Sequence, residues 1–170
     1  MQDYFSLFQI PEQFALERAT LEAAYRNVQA QVHPDRFADR SEAERRVAMQ
    51  WATHANEAYR ALKNPIERGR YLLKRRGVEI DAERNTAMSP AFLMQQMAWR
   101  EAVEEAAGKF DALSRLEQEL RRDEGVMLED LQRSLDVSSD LPAAAELVRR
   151  LMFMEKLRSE IDDALAQLEG

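Results

Sequence analysis

Three observations predict an all-α protein built from two helical halves. Only 5 Gly and 5 Pro occur in 170 residues, and Ala, Leu, Glu, Arg and Gln, all good helix formers, are abundant. Apolar residues recur at i, i+3, i+4 and i+7 along most of the chain, with no stretch showing the alternation of a half-buried strand. The periodic runs are set off by cap and stop residues. Charge is unevenly shared between the halves: residues 1–76 hold 13 Lys/Arg against 10 Asp/Glu, whereas 77–170 hold 11 against 21. A segment over 77–89 is expected to link 1–76 to 90–170, and the charge asymmetry suggests that the halves meet different partners.

Tyr4, Leu7 and Phe8 make a first short helical face, with Asp3 placed to cap it and Pro11 to end it. A second helix starts near Glu17. Leu21, Ala24, Tyr25, Val28 and Val32 form its buried stripe, and Arg18, Glu22, Arg26 and Gln29 its opposite side, with Glu22 and Arg26 a favourable i, i+4 pair. Pro34 disfavours helical geometry at His33 and stops it. The third helix opens at Ser41 with Glu44 three residues on, the pattern of a capping box. Val47, Ala48, Trp51, Ala55, Ala58, Tyr59 and Leu62 give its apolar face. Asn64-Pro65 ends it and starts a fourth, "PIERGRYLLKRR", which stops at Gly77.

Residues 78–89, "VEIDAERNTAMS", lack periodicity. Ser89-Pro90 opens a helix running to about Ala107, after which Gly108 weakens the continuation. Leu113, Leu116, Leu120, Met127, Leu131 and Leu135 mark the next helix, and "VSSDLP" breaks it. Leu147, Leu151, Met154, Ile161, Leu165 and Leu168 mark the last. Three such helices with short turns suggest an antiparallel bundle.

The totals exclude several function classes. With no Cys, disulfides and thiolate metal sites are out and a reducing compartment suits the chain. No run approaches the ~20 apolar residues of a membrane span, and "MQDYFSLFQI" lacks the basic-then-apolar pattern of a leader. A net charge of −7 without a concentrated basic face argues against nucleic acid. There is no phosphate loop and no nucleophile elbow. His33, Asp35 and His54 are the one conceivable metal set, but they lack an i, i+4 His pair or a third strong ligand. The expectation is therefore a bacterial cytoplasmic protein with no catalytic residues, no metal and no cofactor.

"QVHPDRF", residues 31–37, ends one apolar helix and precedes another. As punctuation alone, Pro34 breaks the helix and Asp35 accepts from nearby backbone N–H groups. Between two helices that can pair antiparallel, however, His33-Pro34-Asp35 occupies an exposed tip. Together with "NEAYRAL" at 56–62 and "NPIERGRYLL" at 64–73, this ordered set resembles the J-domain, over residues 3 to about 75. The J-domain is the module by which co-chaperones engage ATP-driven Hsp70-class chaperones. The resemblance implies docking on the ATP-bound chaperone and acceleration of its ATPase. Asp35 would form a charge-assisted pair with a cationic group, Pro34 would rigidify the tip, and His33 would hold the loop or touch the partner. Arg18, Arg26 and Arg36 would steer toward an acidic chaperone surface. Glu22 and the sparse cations of the second helix thin that steering relative to many family members.

In the helix from Pro90, Phe92, Trp99, Val103, Ala106 and Phe110 fall on one side at about 100° per residue. Leu93, Met94 and Met97 fall well away, sharing their face with Arg100, Glu101, Glu104 and Glu105. Such a face is either buried by the last helix or a binding patch, and Met suits an adaptable contact. Phe153 lies off the main stripe of the last helix, as part of this face or as a flank of the core. "DYFSLF", "HPDRF", "AFLMQQMAWREAVEE" and "RRLMFMEKLRSEID" together are similar to HscB, the J-type co-chaperone family of iron–sulfur cluster assembly. This likeness implies that residues 1–76 are the J-domain, partnered by an HscA-like chaperone. It implies that 90–170 are a three-helix domain binding an IscU-like iron–sulfur scaffold protein through Leu93, Met94, Met97, Arg100, Glu101, Glu105 and Phe153. Ala98 stands where an acid is usual in close relatives, and Gln95 is neutral where acid also occurs, so the acidic rim is thinner here. A J-domain protein delivering a different client remains the alternative.

Overall fold

Asp3 opens the first helix, its carboxylate accepting the Ser6 N–H at 3.0 Å. The computed structural model describes residues 1–80 and 88–170. Among them it contains seven α-helices, one short 3-10 segment and no strand, matching the all-α expectation. The helices are α1 (Tyr4–Phe8), α2 (Arg18–Val32), α3 (Glu42–Lys63), α4 (Pro65–Arg75), α5 (Pro90–Ala106), α6 (Phe110–Asp136) and α7 (Leu141–Glu169). The chain separates into two units, Met1–Leu72 and Leu73–Gly170, with the boundary inside α4. The segment 77–89 expected as a linker lies partly outside the described residues.

In the first unit, α1 stops at Gln9 rather than at Pro11, because Gln9 adopts a left-handed φ of 53° and its N–H closes the last turn. Phe5, absent from the expected face, is buried there with Leu7 and Phe8. Helices α2 and α3 pack into a hairpin, and the small residues Ala48, Ala55 and Ala58 of α3 are buried. Aromatic rings key the register: Tyr25 stacks on Tyr59 with centroids 4.2 Å apart, and its hydroxyl donates to Asn56 Oδ1. The capping box at Ser41 forms as expected. Hydrogen bonds from the Ser41 backbone N–H and then its hydroxyl hold the Glu44 carboxyl below its ordinary range. Asn64 Oδ1 accepts from the N–H groups of Ile66 and Glu67 to start α4. Two expectations change. Val47 is exposed rather than on the core face. Glu22 pairs with Arg18 at 2.9 Å instead of with Arg26, since one carboxylate faces a cation one turn away on either side and takes the earlier one.

In the second unit, Ser89 caps α5 by accepting the Phe92 N–H. Gly108, at φ 77°, reverses the chain into α6. That reversal explains why Phe110 is exposed rather than buried with Phe92: it opens α6 instead of continuing the α5 stripe. The reverse turn before α7 places Ser139 at a left-handed φ of 51°, and Asp140 caps α7 through the Ala143 N–H. Phe92, Trp99 and Ala106 of α5 meet Leu113, Leu116 and Leu120 of α6 and Met154, Leu157 and Ile161 of α7 in one cluster. Farther along, Leu131, Leu135, Ala144, Ala145, Val148 and Leu151 are also buried. Of the expected α7 stripe, Leu151, Met154 and Ile161 are buried, while Leu168 is exposed near the helix end. Between α6 and α7, Arg158 bonds the carboxylate of Glu124 and lies 3.7 Å from Glu117. Burial nevertheless pushes the Glu124 carboxyl up, outweighing the pull of Arg158.

Candidate functional site

The tip of the α2–α3 hairpin is shaped by its own three residues. Val32 is the last helical residue of α2, and His33 turns to an extended ψ of 135°, as crowding from the Pro34 ring requires. Pro34–Phe37 then form a single 3-10 turn. His33 Nδ1 accepts the Asp35 N–H at 3.2 Å, and the His33 carbonyl accepts the Arg36 N–H at 3.0 Å. With Nδ1 occupied as an acceptor, the proton of the neutral ring belongs on Nε2. Nδ1 also lies 3.6 Å from Asp35 Oδ2. Asp35 keeps 91% of its side-chain surface, so its carboxylate stands outside the core with acceptor capacity unspent.

The three arginines expected beside it differ in placement. Arg36 reaches back with Nη1 to the Ala30 carbonyl at 3.2 Å, satisfying one of the orphan acceptors at the end of α2 and bracing the tip. Arg26 is exposed and has no ion-pair partner among the described residues. Arg18 sits at the opposite end of α2, about 20 Å along the axis at ~1.5 Å per residue, and is engaged by Glu22. The tip therefore brings together His33, Pro34, Asp35 and Arg36, with Arg26 flanking and Arg18 apart.

Sequence reasoning missed an apolar hollow of about 300 Å³ beside the tip, lined among others by Val32, Phe37, Val47 and Trp51. The exposed Val47 is part of its wall. Its signal was Phe37, three residues after Pro34 and outside both helical stripes.

On α5, a second candidate surface follows from helical phase. Leu93, Met94, Met97, Arg100, Glu101 and Glu105 fall within a ~140° arc at about 100° per residue, roughly opposite Phe92, Trp99 and Ala106. Leu93 is 47% exposed, Met94 72% and Met97 73%. The bundle therefore leaves these three uncovered. Glu101, Glu104 and Glu105 are exposed farther along the helix. Phe153 of α7 is half-buried: it stacks on Trp99 with centroids 6.0 Å apart and meets Phe92 edge-on at 5.9 Å. It is thus both a flank of the core and the floor on which Arg100 rests, the guanidinium carbon lying 5.5 Å from its ring centroid. The N-terminal end of α5 is clasped to α7 by Glu146, which accepts from Ser89 Oγ at 2.9 Å and from Arg150 at 2.8 Å. Those bonds, the one from Arg150 first, hold the Glu146 carboxyl below its ordinary range.

Among the described residues no group of three or more His, Cys, Asp or Glu is arranged to hold a metal ion. His54 Nε2 lies 2.7 Å from the Gln2 carbonyl, and its ring packs between Tyr4 and Trp51. Among the same residues no helix is long and apolar enough to cross a membrane.

A family model described as the HSCB C-terminal oligomerisation domain matches residues 88–162. A relative from Burkholderia multivorans, named co-chaperone protein HscB homolog, is 56% identical over 168 residues, 98% of this chain and 95% of its own. One of the same name from Aromatoleum aromaticum is 52% identical over 170 residues, 99% of this chain and 96% of its own. Among solved structures, chaperone HscB from Vibrio cholerae superposes with a TM-score of 0.87 at 36% identity, over 98% of this chain and 99% of that one. Human co-chaperone protein HscB gives 0.91 at 28% identity, over 100% of this chain and 84% of that one. The Jac1 co-chaperone of Saccharomyces cerevisiae shares the fold, with a TM-score of 0.74 at 19% identity over 95% of this chain and 98% of that one.

Proposed function

The chain belongs to the HscB family of co-chaperones, and on that premise we propose that its two units divide one task in iron–sulfur cluster assembly. The first unit works as a J-domain. Its tip docks on an HscA-like, Hsp70-class chaperone and accelerates ATP hydrolysis there without the chain itself catalysing a reaction. The second unit holds an IscU-like scaffold protein against the α5 face and delivers it to that chaperone in the bacterial cytoplasm.

The observation that carries this reading is the state of Asp35. A carboxylate held on a rigid 3-10 turn, 91% exposed, is poised to form a charge-assisted pair with an arginine or lysine of a docked partner. Pro34 fixes one backbone dihedral of the turn and Arg36 ties the turn to α2, so little order remains to be gained on docking. His33 supplies the hydrogen bond that sets the Asp35 backbone. Arg26, exposed on the flank of α2, is the cation best placed to steer. Leu93, Met94 and Met97 are the anchors for the scaffold, with Arg100, Phe153, Glu101 and Glu105 around them.

The test is His33→Gln. Stimulation of the chaperone ATPase should vanish, while circular dichroism and affinity for the scaffold stay at parent values. Full stimulation by the variant refutes the role given to the tip. A second reading, in which the α5 face pairs with another copy of this chain, is favoured by the description of the matching C-terminal family model. Sedimentation equilibrium separates the two: a monomer across micromolar concentrations leaves that face to a different protein.

A further inference from the structure

Arg100 is the one cation on an arc whose other charged members, Glu101, Glu104 and Glu105, are acids. Its placement depends on a residue 60 positions away. Glu160 of α7 accepts from Arg100 Nη1, and both side chains keep 42% of their surface. The guanidinium also lies over the Phe153 ring, which is itself stacked on Trp99. We infer that Glu160 is a positioning residue of the α5 face, holding Arg100 over Phe153 so that its remaining N–H groups meet an acceptor oxygen of the bound partner. The inference rests on the reading of that face given above.

Three physical points support it. An arginine loses much rotamer freedom when ordered, so one already held by two contacts on another helix binds at lower entropic cost. Glu160 takes a single N–H of the five, and no other described residue takes the rest. The pair is also too exposed to contribute much to folding by itself, since ion pairs in such settings give little stability. A carboxylate that joins two helices at the edge of a binding face and adds little to the fold is better explained by what it orients.

The charge order along α5 adds specificity. A partner presenting an acceptor opposite Arg100 and cations opposite Glu101 and Glu105 fits in one direction only, because the reversed register sets like charges together.

The experiment is a double-mutant cycle on the full chain with purified iron–sulfur scaffold protein. Glu160→Gln should weaken binding about threefold to tenfold, mainly through faster dissociation. On an Arg100→Ala background the same change should have no effect. In the free protein, 15N relaxation at Arg100 Nε should pass from ordered to mobile in Glu160→Gln, while the Trp99 indole resonance stays in place. Unchanged or tighter binding by Glu160→Gln, or an equal loss on both backgrounds, overturns the positioning role. A parent chain that fails to bind the scaffold at all overturns the reading of the face itself and the inference with it.

Discussion

Truncating Leu93, Met94 and Met97 together to alanine tests the α5 face most directly. Fully burying a Leu or Met side chain is worth ~1.5–3 kcal/mol. Scaled by exposures of 47%, 72% and 73%, the three anchors can bury surface worth about 3–6 kcal/mol in a complex. Alanine keeps the Cβ, so the truncation removes roughly 2–4 kcal/mol, which at 1.4 kcal/mol per decade is on the order of 30- to 700-fold in Kd. Folding should hardly notice, since exposed substitutions of this kind stay within about 0.5 kcal/mol each. The measurement is titration calorimetry of parent and triple variant against the scaffold protein, with thermal unfolding of both chains alongside. Affinity within threefold of the parent moves the binding surface elsewhere on the chain. A marked fall in melting temperature means that the three side chains serve the bundle and that their exposure was misread.

Two further changes address what supports the face. Phe92 is 2% exposed and meets Trp99 and Phe153 edge-on, with the Arg150 guanidinium carbon 5.1 Å from its ring centroid. Phe92→Ala should cost about 3–5 kcal/mol, lower the unfolding transition of the second unit in calorimetry, and weaken scaffold binding although Phe92 is not on the exposed arc. A transition unmoved by the change would contradict the cluster. The clasp at Ser89 gives a pH dependence. Because the folded Glu146 carboxyl is held below its ordinary value of 4.5, its contribution is present above that pH and fades as pH falls through the depressed folded value. Glu146→Gln should therefore lower stability at pH 7 by about 0.5 kcal/mol, discounted for its exposure, and the gap to the parent should close in denaturant titrations below pH 4. A gap that persists in acid rules out the linkage.

Much of the site was readable from the chain because its determinants are local. His33-Pro34-Asp35 ends α2 through ring crowding between neighbours in sequence, and Ser41, Glu44, Asn64 and Ser89 cap helices within three residues of themselves. The phase of Leu93, Met94 and Met97 follows from the helical repeat alone. Phe110 escaped the same reasoning, since one left-handed glycine at position 108 moves it to a different helix. Val47 escaped it too: periodicity marks a side chain as apolar-facing but does not say whether a neighbouring helix reaches far enough to cover it.

The amino-acid order by itself determined which segments coil, where they begin and end, and which side of each is apolar, because hydrogen bonds and steric contacts over three or four residues decide those matters. Only the packed structure decided which distant groups meet: Arg36 with the Ala30 carbonyl around the tip, Glu146 with Ser89, and Glu160 with Arg100 over the Phe153 ring. Long charged side chains can reach several partners, as Glu22 shows by choosing Arg18 over Arg26. There both candidates sit one turn away on the same helix, so spacing alone names two partners and only the folded structure selects one.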